Sequence, residues 1–211
     1  MFIAFEGIEG CGKTTVARML AEWMIGRGLN PLQTREPGGS ELGRELRRVL
    51  LDPSRPAISR EAELFLFLAD RAQHTRDIIR PALTTGRPVI CDRFADSTVA
   101  YQGYGRGMNL AELEYLNKIS TGDLWPDIVF LLDLPVALGL ERVKKRLRAT
   151  GESDEGRFDN ETKEFHERIR SGFLEIAAKN PGRVKIIDAS ASPDEILDKC
   201  LSRLPRFPSV A

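Results

Sequence analysis

The chain has 211 residues, with 31 basic and 31 acidic residues and a formal net charge of zero. This length suits one α/β domain with a sizeable core, and the balanced charge excludes a nucleic-acid binder that works through bulk positive charge. The three cysteines lack metal-ligand spacing, which indicates a reducing, cytoplasmic setting. Because no apolar run is long enough to span a bilayer, we expect no membrane partner.

Apolar runs alternate with helical stretches along the chain, a pattern typical of a parallel sheet covered by helices on both faces. Five runs are predicted as strands: Phe2–Phe5, Leu32–Arg35, Pro88–Cys91, Ile128–Leu132 and Val184–Ile187. In such a sheet, ligands gather at the carboxyl ends of the strands. We therefore predict an α/β fold with a five-stranded parallel sheet, one domain over residues 1–211, and functional residues just after the strands.

The first strand leads into a phosphate-binding loop motif, which is glycine, four residues, then Gly-Lys-Thr. The loop consists of Gly7, Ile8, Glu9, Gly10, Cys11, Gly12, Lys13 and Thr14, and Thr15 follows it. Helical spacing of apolar residues over Thr15–Met24 places the loop where a strand becomes a helix, so its N–H groups can converge on phosphate oxygens. Lys13 would reach the outer phosphates and the Thr14 hydroxyl would bind magnesium. The alternative is a chance match in a glycine-rich turn.

Charged residues follow the second and third strands. Arg35 precedes the turn Glu36–Gly39, where it either faces the crevice or is an exposed arginine in a tight turn. Asp92 ends the third strand, where phosphate-loop enzymes place a carboxylate for magnesium. Arg93 follows directly, and the alternative for these two residues is a buried ion pair.

A long helical stretch is predicted from about Arg60 to Leu83. Phe67 and Arg71 are four residues apart and share a helix face. An aromatic ring beside a guanidinium can hold a flat base by stacking and hydrogen bonding. For Phe67 taken alone a core position is favoured, whereas the pair with Arg71 favours a ligand. We expect His74, near the middle of this stretch, to be a solvated or capping residue.

The stretch from Asp96 to Gly103 is predicted to be a helix that ends in a mobile loop, because glycines recur at 103, 105 and 107. Ser97, Tyr101 and Gln102 supply a hydroxyl, a ring and an amide within about one helical turn. These groups suit the recognition of a base or the closing of one side of a sugar.

After the fourth strand a basic helix leads into a polar, glycine-bounded segment that we predict to be a lid at about residues 148–158. The alternative is a solvated basic face. Since Lys13 is the one cation of the phosphate loop, we expect further positive charge to come from the lid arginines Arg146, Arg148 and Arg157. A helix follows from Glu161 to Ala178, in which we expect His166 at the surface.

Together these motifs resemble the thymidylate kinases in their bacterial form. The resemblance covers Phe2 to about Leu201 and rests on Gly7–Thr14, Arg35–Gly39, Ala69–His74, Asp92–Arg93, Ser97 and Ala100–Gly103. It implies the three-layer P-loop nucleoside monophosphate kinase fold and transfer of the ATP γ-phosphoryl group to dTMP, giving dTDP. It also implies Mg²⁺ as cofactor, small-molecule substrates and a homodimer.

The resemblance assigns roles residue by residue. Catalysis falls to Lys13, Arg93, Arg157 and Glu9; ATP binding to Gly7–Thr15 with Arg142 and Arg146; dTMP binding to Glu9, Arg35, Phe67, Arg71, Arg93, Ser97, Tyr101 and Gln102; and metal binding to Thr14 with Asp92. It also implies a cis bond between Glu36 and Pro37. The family often has Tyr or His where this chain has Phe94, so a hydrogen-bonding role at that position is in doubt. A kinase for another base and a nucleotide-dependent switch are the rival functions.

Overall fold

The computed structural model describes residues 1–150 and 156–205. The strands are β1 (Phe2–Glu6), β2 (Leu32–Arg35), β3 (Val89–Asp92), β4 (Ile128–Asp133) and β5 (Val184–Asp188). They form one parallel sheet in the order β2-β3-β1-β4-β5. The predicted strands and the parallel five-stranded sheet are confirmed, with strand ends that shift by one residue at most.

Helices cover both faces of this sheet. They are α1 (Lys13–Ile25), α2 (Glu41–Leu51), α3 (Arg60–His74), α4 (Arg80–Thr84), α5 (Ala95–Thr98), α6 (Leu110–Thr121), α7 (Val136–Thr150), α8 (Lys163–Lys179) and α9 (Pro193–Leu201). A π-helical turn at Thr75–Ile79 joins α3 to α4, so the predicted helix from Arg60 to Leu83 is continuous. A second π-helical segment, Val99–Gly105, extends α5, and a short 3₁₀ turn at Gly156–Asn160 precedes α8. Within the described residues, every helix is too short or too polar to cross a membrane.

The core is built around the two central strands, which read as continuous apolar runs because helices cover both of their faces. Every residue of β1 is buried, and Phe5 packs against Phe130 of β4 with ring centroids 5.4 Å apart. Helix α1 turns its apolar stripe, including Val16 and Leu20, onto this sheet. The parallel register aligns the ends of β1, β2 and β3, so the phosphate loop, Arg35 and Asp92 lie at one edge.

Gly103 and Gly105 lie in the helical segment Val99–Gly105 and pack closely against neighbouring helices. The prediction of a mobile loop is therefore wrong as far as Gly105. A Cβ on Gly103 would lie 2.5 Å from Leu110 Cδ2, and one on Gly105 would lie 2.8 Å from Phe165 Cε2. Both distances are shorter than a carbon–carbon contact allows. These two glycines therefore permit α6 and α8 to approach the segment that carries Tyr101 and Gln102.

Candidate active site

The phosphate loop connects β1 to α1 and curls around the Lys13 side chain. Lys13 Nζ donates to the carbonyl oxygens of Ile8 at 2.9 Å and Gly7 at 3.2 Å. Gly10 has a φ of 73°, and a Cβ there would lie 2.3 Å from the Gly139 carbonyl oxygen, so this position requires glycine. Because α1 begins at Lys13, the positive end of its dipole lies at the loop.

A cavity lies over the phosphate loop, and we call it the loop cavity. It is lined by Glu9, Gly10, Gly12, Lys13, Thr14, Thr15, Arg142 and Arg146. Arg142 Nη1 donates to the Ala189 carbonyl oxygen just after β5 at 3.1 Å, and Arg146 lies 3.8 Å from the Asp159 carboxylate. The structure therefore brings the predicted ATP-binding residues Arg142 and Arg146 together with the loop.

The two predicted metal ligands are in contact, since the Thr14 hydroxyl donates a hydrogen bond to the Asp92 carboxylate. A hydroxyl and a carboxylate are the hard oxygen ligands that Mg²⁺ prefers, so this pair fits the ion. Among the described residues there is no cluster of three or more His, Cys, Asp or Glu side chains suited to a metal. The ion would therefore take its other ligands from phosphates and water, as Mg²⁺ commonly does.

A second cavity, which we call the aromatic cavity, lies beside the loop cavity. It is lined by Glu36, Pro37, Phe67, Arg71, Arg93, Phe94, Ser97, Thr98, Tyr101, Gln102 and Phe158, and has a volume of about 30 Å³. That volume is well below the roughly 300–1,000 Å³ of small-molecule sites, so the cavity must widen before it takes a nucleotide. Six of the predicted dTMP-binding residues line it. Arg35 does not, because its exposed side chain lies at the sheet edge.

The Arg71 guanidinium forms part of the cavity wall and is held by protein acceptors. Its Nε donates to Glu36 at 2.8 Å, its Nη1 to Thr98 at 2.7 Å and Asn117 at 2.8 Å, and its Nη2 to the Phe94 carbonyl oxygen at 3.1 Å. These bonds use four of the five guanidinium N–H groups. Any contact to a base therefore depends on the remaining Nη2–H, and Arg71 is more rigid than the sequence suggested.

His74 is fully buried, so its prediction as a solvated or capping residue is wrong. Its Nδ1 lies 2.9 Å from the Glu36 carboxylate and its Nε2 lies 2.7 Å from the Thr34 hydroxyl. The last turn of α3 packs onto the end of β2, where Thr34 lies, and onto the turn after it, where Glu36 lies. The sequence also missed Glu36, although a buried arginine in the cavity wall requires an acid beside it. The predicted cis bond between Glu36 and Pro37 is confirmed.

A buried cluster around Glu9 joins the two cavities. Arg93 has a φ of 69°, in the left-handed region, and its guanidinium reaches Glu9 at 3.3 Å and the Gly7 carbonyl oxygen at 2.9 Å. The Tyr101 hydroxyl donates to the same Glu9 oxygen, Oε1. Burial raises the pKa of Glu9, but the contact with His166 and the charge of Arg93 outweigh it and lower that pKa to about 2. Glu9 is therefore a buried carboxylate whose negative charge is balanced by Arg93.

His166 is 1% exposed, so its prediction as a surface residue is wrong. Its Nδ1 lies 3.0 Å from Glu9 Oε2, because α8 turns this side toward the loop. Ile169 and Phe173 are buried three and seven residues further along α8. That spacing places His166 on the apolar stripe of the helix, and this signal was available in the sequence.

Phe158 lines the aromatic cavity, and Arg157 precedes it in the chain. Arg157 Nη2 donates to the Glu63 carboxylate at 3.0 Å, and Gln102 Nε2 donates to the same carboxylate at 3.0 Å. Phe158 is buried, and its ring centroid lies 6.1 Å from that of Phe67. The sequence missed both Glu63 and Phe158. Of the predicted lid at about 148–158, residues 151–155 lie outside the described part of the chain.

The side chain of Phe94 makes no hydrogen bond, which agrees with the doubt that the sequence raised. Its ring packs edge-on against Phe2, with centroids 4.9 Å apart, and both rings belong to the core. Ser97, by contrast, is held by Glu6, because its hydroxyl donates to Glu6 Oε2 at 2.6 Å. Phe94 and Ser97 therefore fix the wall of the aromatic cavity to β1.

Burial and the charge of Asp96 raise the pKa of Glu6 from 4.5 to about 7. Because the folded chain then binds more protons than the unfolded chain between these values, the free energy of unfolding falls as pH rises from about 4.5 to about 7. We expect Glu6→Gln to remove this loss, which amounts to up to about 3 kcal/mol. Urea unfolding of both proteins at a pH of about 4 and of about 8, on either side of this range, checks the prediction.

Burial and the charge of Glu36 raise the pKa of Asp70 to about 6, so Asp70 also makes the free energy of unfolding fall as pH rises. Asp70 is unchanged in the Glu6→Gln variant. The informative quantity is therefore the difference between the two pH profiles. Parallel profiles for the parent and Glu6→Gln would show that Glu6 titrates normally in the folded chain.

Comparison with known proteins agrees with this geometry. The thymidylate kinase family model matches residues 5–200. The chain belongs to the thymidylate kinase family. It is 52% identical over 208 residues to the thymidylate kinase of Desulfovibrio desulfuricans, which covers 98% of this chain and 96% of that protein. The thymidylate kinase of Oleidesulfovibrio alaskensis is 51% identical over 203 residues, or 96% of each chain.

The crystal structure of the thymidylate kinase from Ehrlichia chaffeensis matches this fold with a TM-score of 0.77 and 35% sequence identity, covering 96% of this chain and 97% of that one. The match confirms the three-layer P-loop nucleoside monophosphate kinase fold. Thymidylate kinases phosphorylate dTMP to dTDP with ATP, so family membership also confirms the predicted enzyme class and disfavours the nucleotide-dependent switch.

Proposed function

We propose that this chain transfers the γ-phosphoryl group of ATP to dTMP, giving dTDP, with ATP in the loop cavity and dTMP in the aromatic cavity. The observation that carries the proposal is that the two cavities meet at Glu9 and Arg93. Two adjoining sites with cations at their junction suit the transfer of a phosphoryl group between two anions. A hydrolase that uses water as acceptor would need one nucleotide site.

On the donor side, the loop N–H groups and the Lys13 ammonium hold the ATP phosphates. Arg142, which is tied to the chain after β5, packs on the adenine. Thr14 and Asp92 would hold Mg²⁺, which would supply charge neutralisation at the phosphate oxygens. Arg146 extends the positive wall of the loop cavity toward the lid.

On the acceptor side, Phe67 stacks on thymine while Arg71, Gln102 and Ser97 approach the edge of the base. Tyr101 crowds the 2′ position of the sugar and favours deoxyribose. Arg93 binds the acceptor phosphate, since it is buried at the junction of the two cavities. Arg35 joins it by swinging in from the exposed edge of the sheet.

Charge on the transferred group is stabilised by Lys13, Arg93 and the lid arginines. For Arg157 this requires exchange of its bond to Glu63 for one to phosphate. We expect Arg157→Ala to lower kcat by about 10²-fold and to change the KM for dTMP little, because the charge acts mainly in the transition state. Steady-state kinetics with dTMP varied at saturating ATP checks this.

Arg146→Ala is the matched comparison, because Arg146 already lines the loop cavity. If Arg157→Ala raised the KM for dTMP and left kcat unchanged, Arg157 would act through Glu63 at the aromatic cavity. The catalytic charge would then be assigned to Arg146 or Arg148.

We also propose a homodimer in the cytoplasm. Large apolar side chains are exposed on the adjoining helices α2, α3 and α6, namely Leu42 (46%), Phe65 (61%), Tyr115 (66%) and Ile119 (59%). Such a patch on neighbouring helices is typical of a protein–protein interface. The three cysteines are buried and free, which suits a reducing compartment. Sedimentation of the parent and of Phe65→Glu tests the dimer, since the charge would separate the subunits.

A coupled assay of ADP release with dTMP, dUMP and dCMP tests the proposed function. We expect rapid release with dTMP, little with the other two and little without an acceptor. Equal rates with dCMP would contradict the thymine assignment. Acceptor-independent ADP release would instead indicate a hydrolase, and Lys13→Met provides the background rate.

A further inference from the structure

His166 faces Glu9 inside the protein and lines neither of the two cavities. The side chains of both residues are about 1% exposed, and Nδ1 of His166 lies 3.0 Å from Oε2 of Glu9. Within the described part of the chain, Glu9 Oε2 and both ring nitrogens of His166 lack a protein hydrogen-bond partner at an ordinary angle. A buried carboxylate oxygen needs a polar group beside it, and His166 is the side chain that faces Glu9 Oε2.

We propose that His166 is a positioning residue, which holds the Glu9 carboxylate at the junction of the loop cavity and the aromatic cavity and thereby sets the affinity for dTMP. The proposal rests on the proposed function, because it names a further residue for the same reaction. His166 contacts Glu9 and lines neither cavity, so it acts through that carboxylate.

The two oxygens of Glu9 face different partners, which is why the orientation of the carboxylate matters. Oε1 accepts from the Tyr101 hydroxyl and from Arg93, and both of these residues line the aromatic cavity. Oε2 faces His166. Contacts on both sides fix the carboxylate plane, and loss of the contact to Oε2 would let Glu9 rotate away from Tyr101 and Arg93.

The His166 ring is itself held in place. It packs edge-on against Phe165, with ring centroids 5.8 Å apart and an angle of 79° between the planes. Phe165 is buried against Gly105, in the helical segment that carries Tyr101. Helix α8 therefore supports both sides of the Glu9 cluster, and a change at His166 should affect the site for the acceptor more than the site for ATP.

Three substitutions separate positioning from packing. Asparagine places an amide N–H near the position of Nδ1, glutamine places one near Nε2, and phenylalanine keeps a ring without any donor. We expect His166→Phe and His166→Gln to raise the KM for dTMP about tenfold, the effect of losing one close polar contact to a charged group. His166→Asn should stay within about threefold of the parent, and the KM for ATP should change less than about twofold in all three.

A double-mutant cycle with Glu9→Gln then tests whether His166 acts through Glu9. In the Glu9→Gln background, His166→Phe should have no further effect on the KM for dTMP, because the positioned charge is already absent. If His166→Phe fails to fold, the comparison of Asn with Gln decides the matter. Equal effects of Asn and Gln, equal increases in both KM values, or additivity in the cycle would each overturn the proposal.

The parent protein is assayed first, so that failure of the proposed function can be distinguished from failure of the positioning role of His166. A parent without dTMP kinase activity would overturn the proposed function and, with it, the positioning role. A parent that is active with dTMP but whose His166→Phe variant keeps the same KM would overturn the positioning role alone.

Discussion

Replacing Lys13 with methionine should lower kcat by about 10²–10³-fold, the cost of removing one preorganised group that stabilises transition-state charge. Lys13 is 6% exposed, and its ammonium lies inside the loop between the Gly7 and Ile8 carbonyl oxygens. The surrounding water-poor loop strengthens its interaction with phosphate. Steady-state kinetics with saturating ATP and dTMP measures the effect.

The control for this substitution is the stability of the folded chain. Methionine keeps the length of the side chain but loses both bonds to the loop carbonyls, so thermal unfolding of the variant is measured beside that of the parent. A folded Lys13→Met protein whose kcat stayed within about tenfold of the parent would contradict a role for Lys13 in stabilising transition-state charge.

Glu36→Gln should lower the free energy of unfolding by about 3–5 kcal/mol, the usual cost of breaking a buried ion pair by removing one partner. Glu36 is 4% exposed and accepts from Arg71 at 2.8 Å, while His74 lies 2.9 Å from its other oxygen. Removal of this negative charge leaves the guanidinium of Arg71 buried without its counter-ion. Urea unfolding at one fixed pH measures the loss.

Glu161→Gln is the matched control, because Glu161 also pairs with an arginine but is 26% exposed. Its loss should stay below about 1 kcal/mol, since solvent screens the pair with Arg106. If both variants lost the same small amount of stability, the pair of Glu36 and Arg71 would contribute no more than a surface contact.

The parts of the fold and the site that the sequence predicted depend on residues close together in the chain. Each strand of the sheet is a short apolar run, and the phosphate loop is a contiguous motif from Gly7 to Thr14. Phe67 and Arg71 share a helix face, so their place in one cavity follows from helical periodicity. Local patterns of this kind need no knowledge of the tertiary contacts.

The residues that the sequence missed depend on partners far along the chain. Arg157 and Glu63 are 94 residues apart, and Glu36 lies 35 residues before Arg71. The spacing of His166 to Ile169 and Phe173 could have predicted its burial, but its contact with Glu9 depends on the tertiary structure. Burial of a polar side chain is decided by its partner, and one sequence does not reveal which residues become partners.

The most direct test of the account is a crystal structure of the chain with dTMP and a non-hydrolysable ATP analogue bound together. The account predicts the pyrimidine ring beside Phe67, the acceptor phosphate at Arg93 and the terminal phosphate of the analogue at Lys13. Pyrimidine density at another place, with the space beside Phe67 still filled by Phe158, would contradict it.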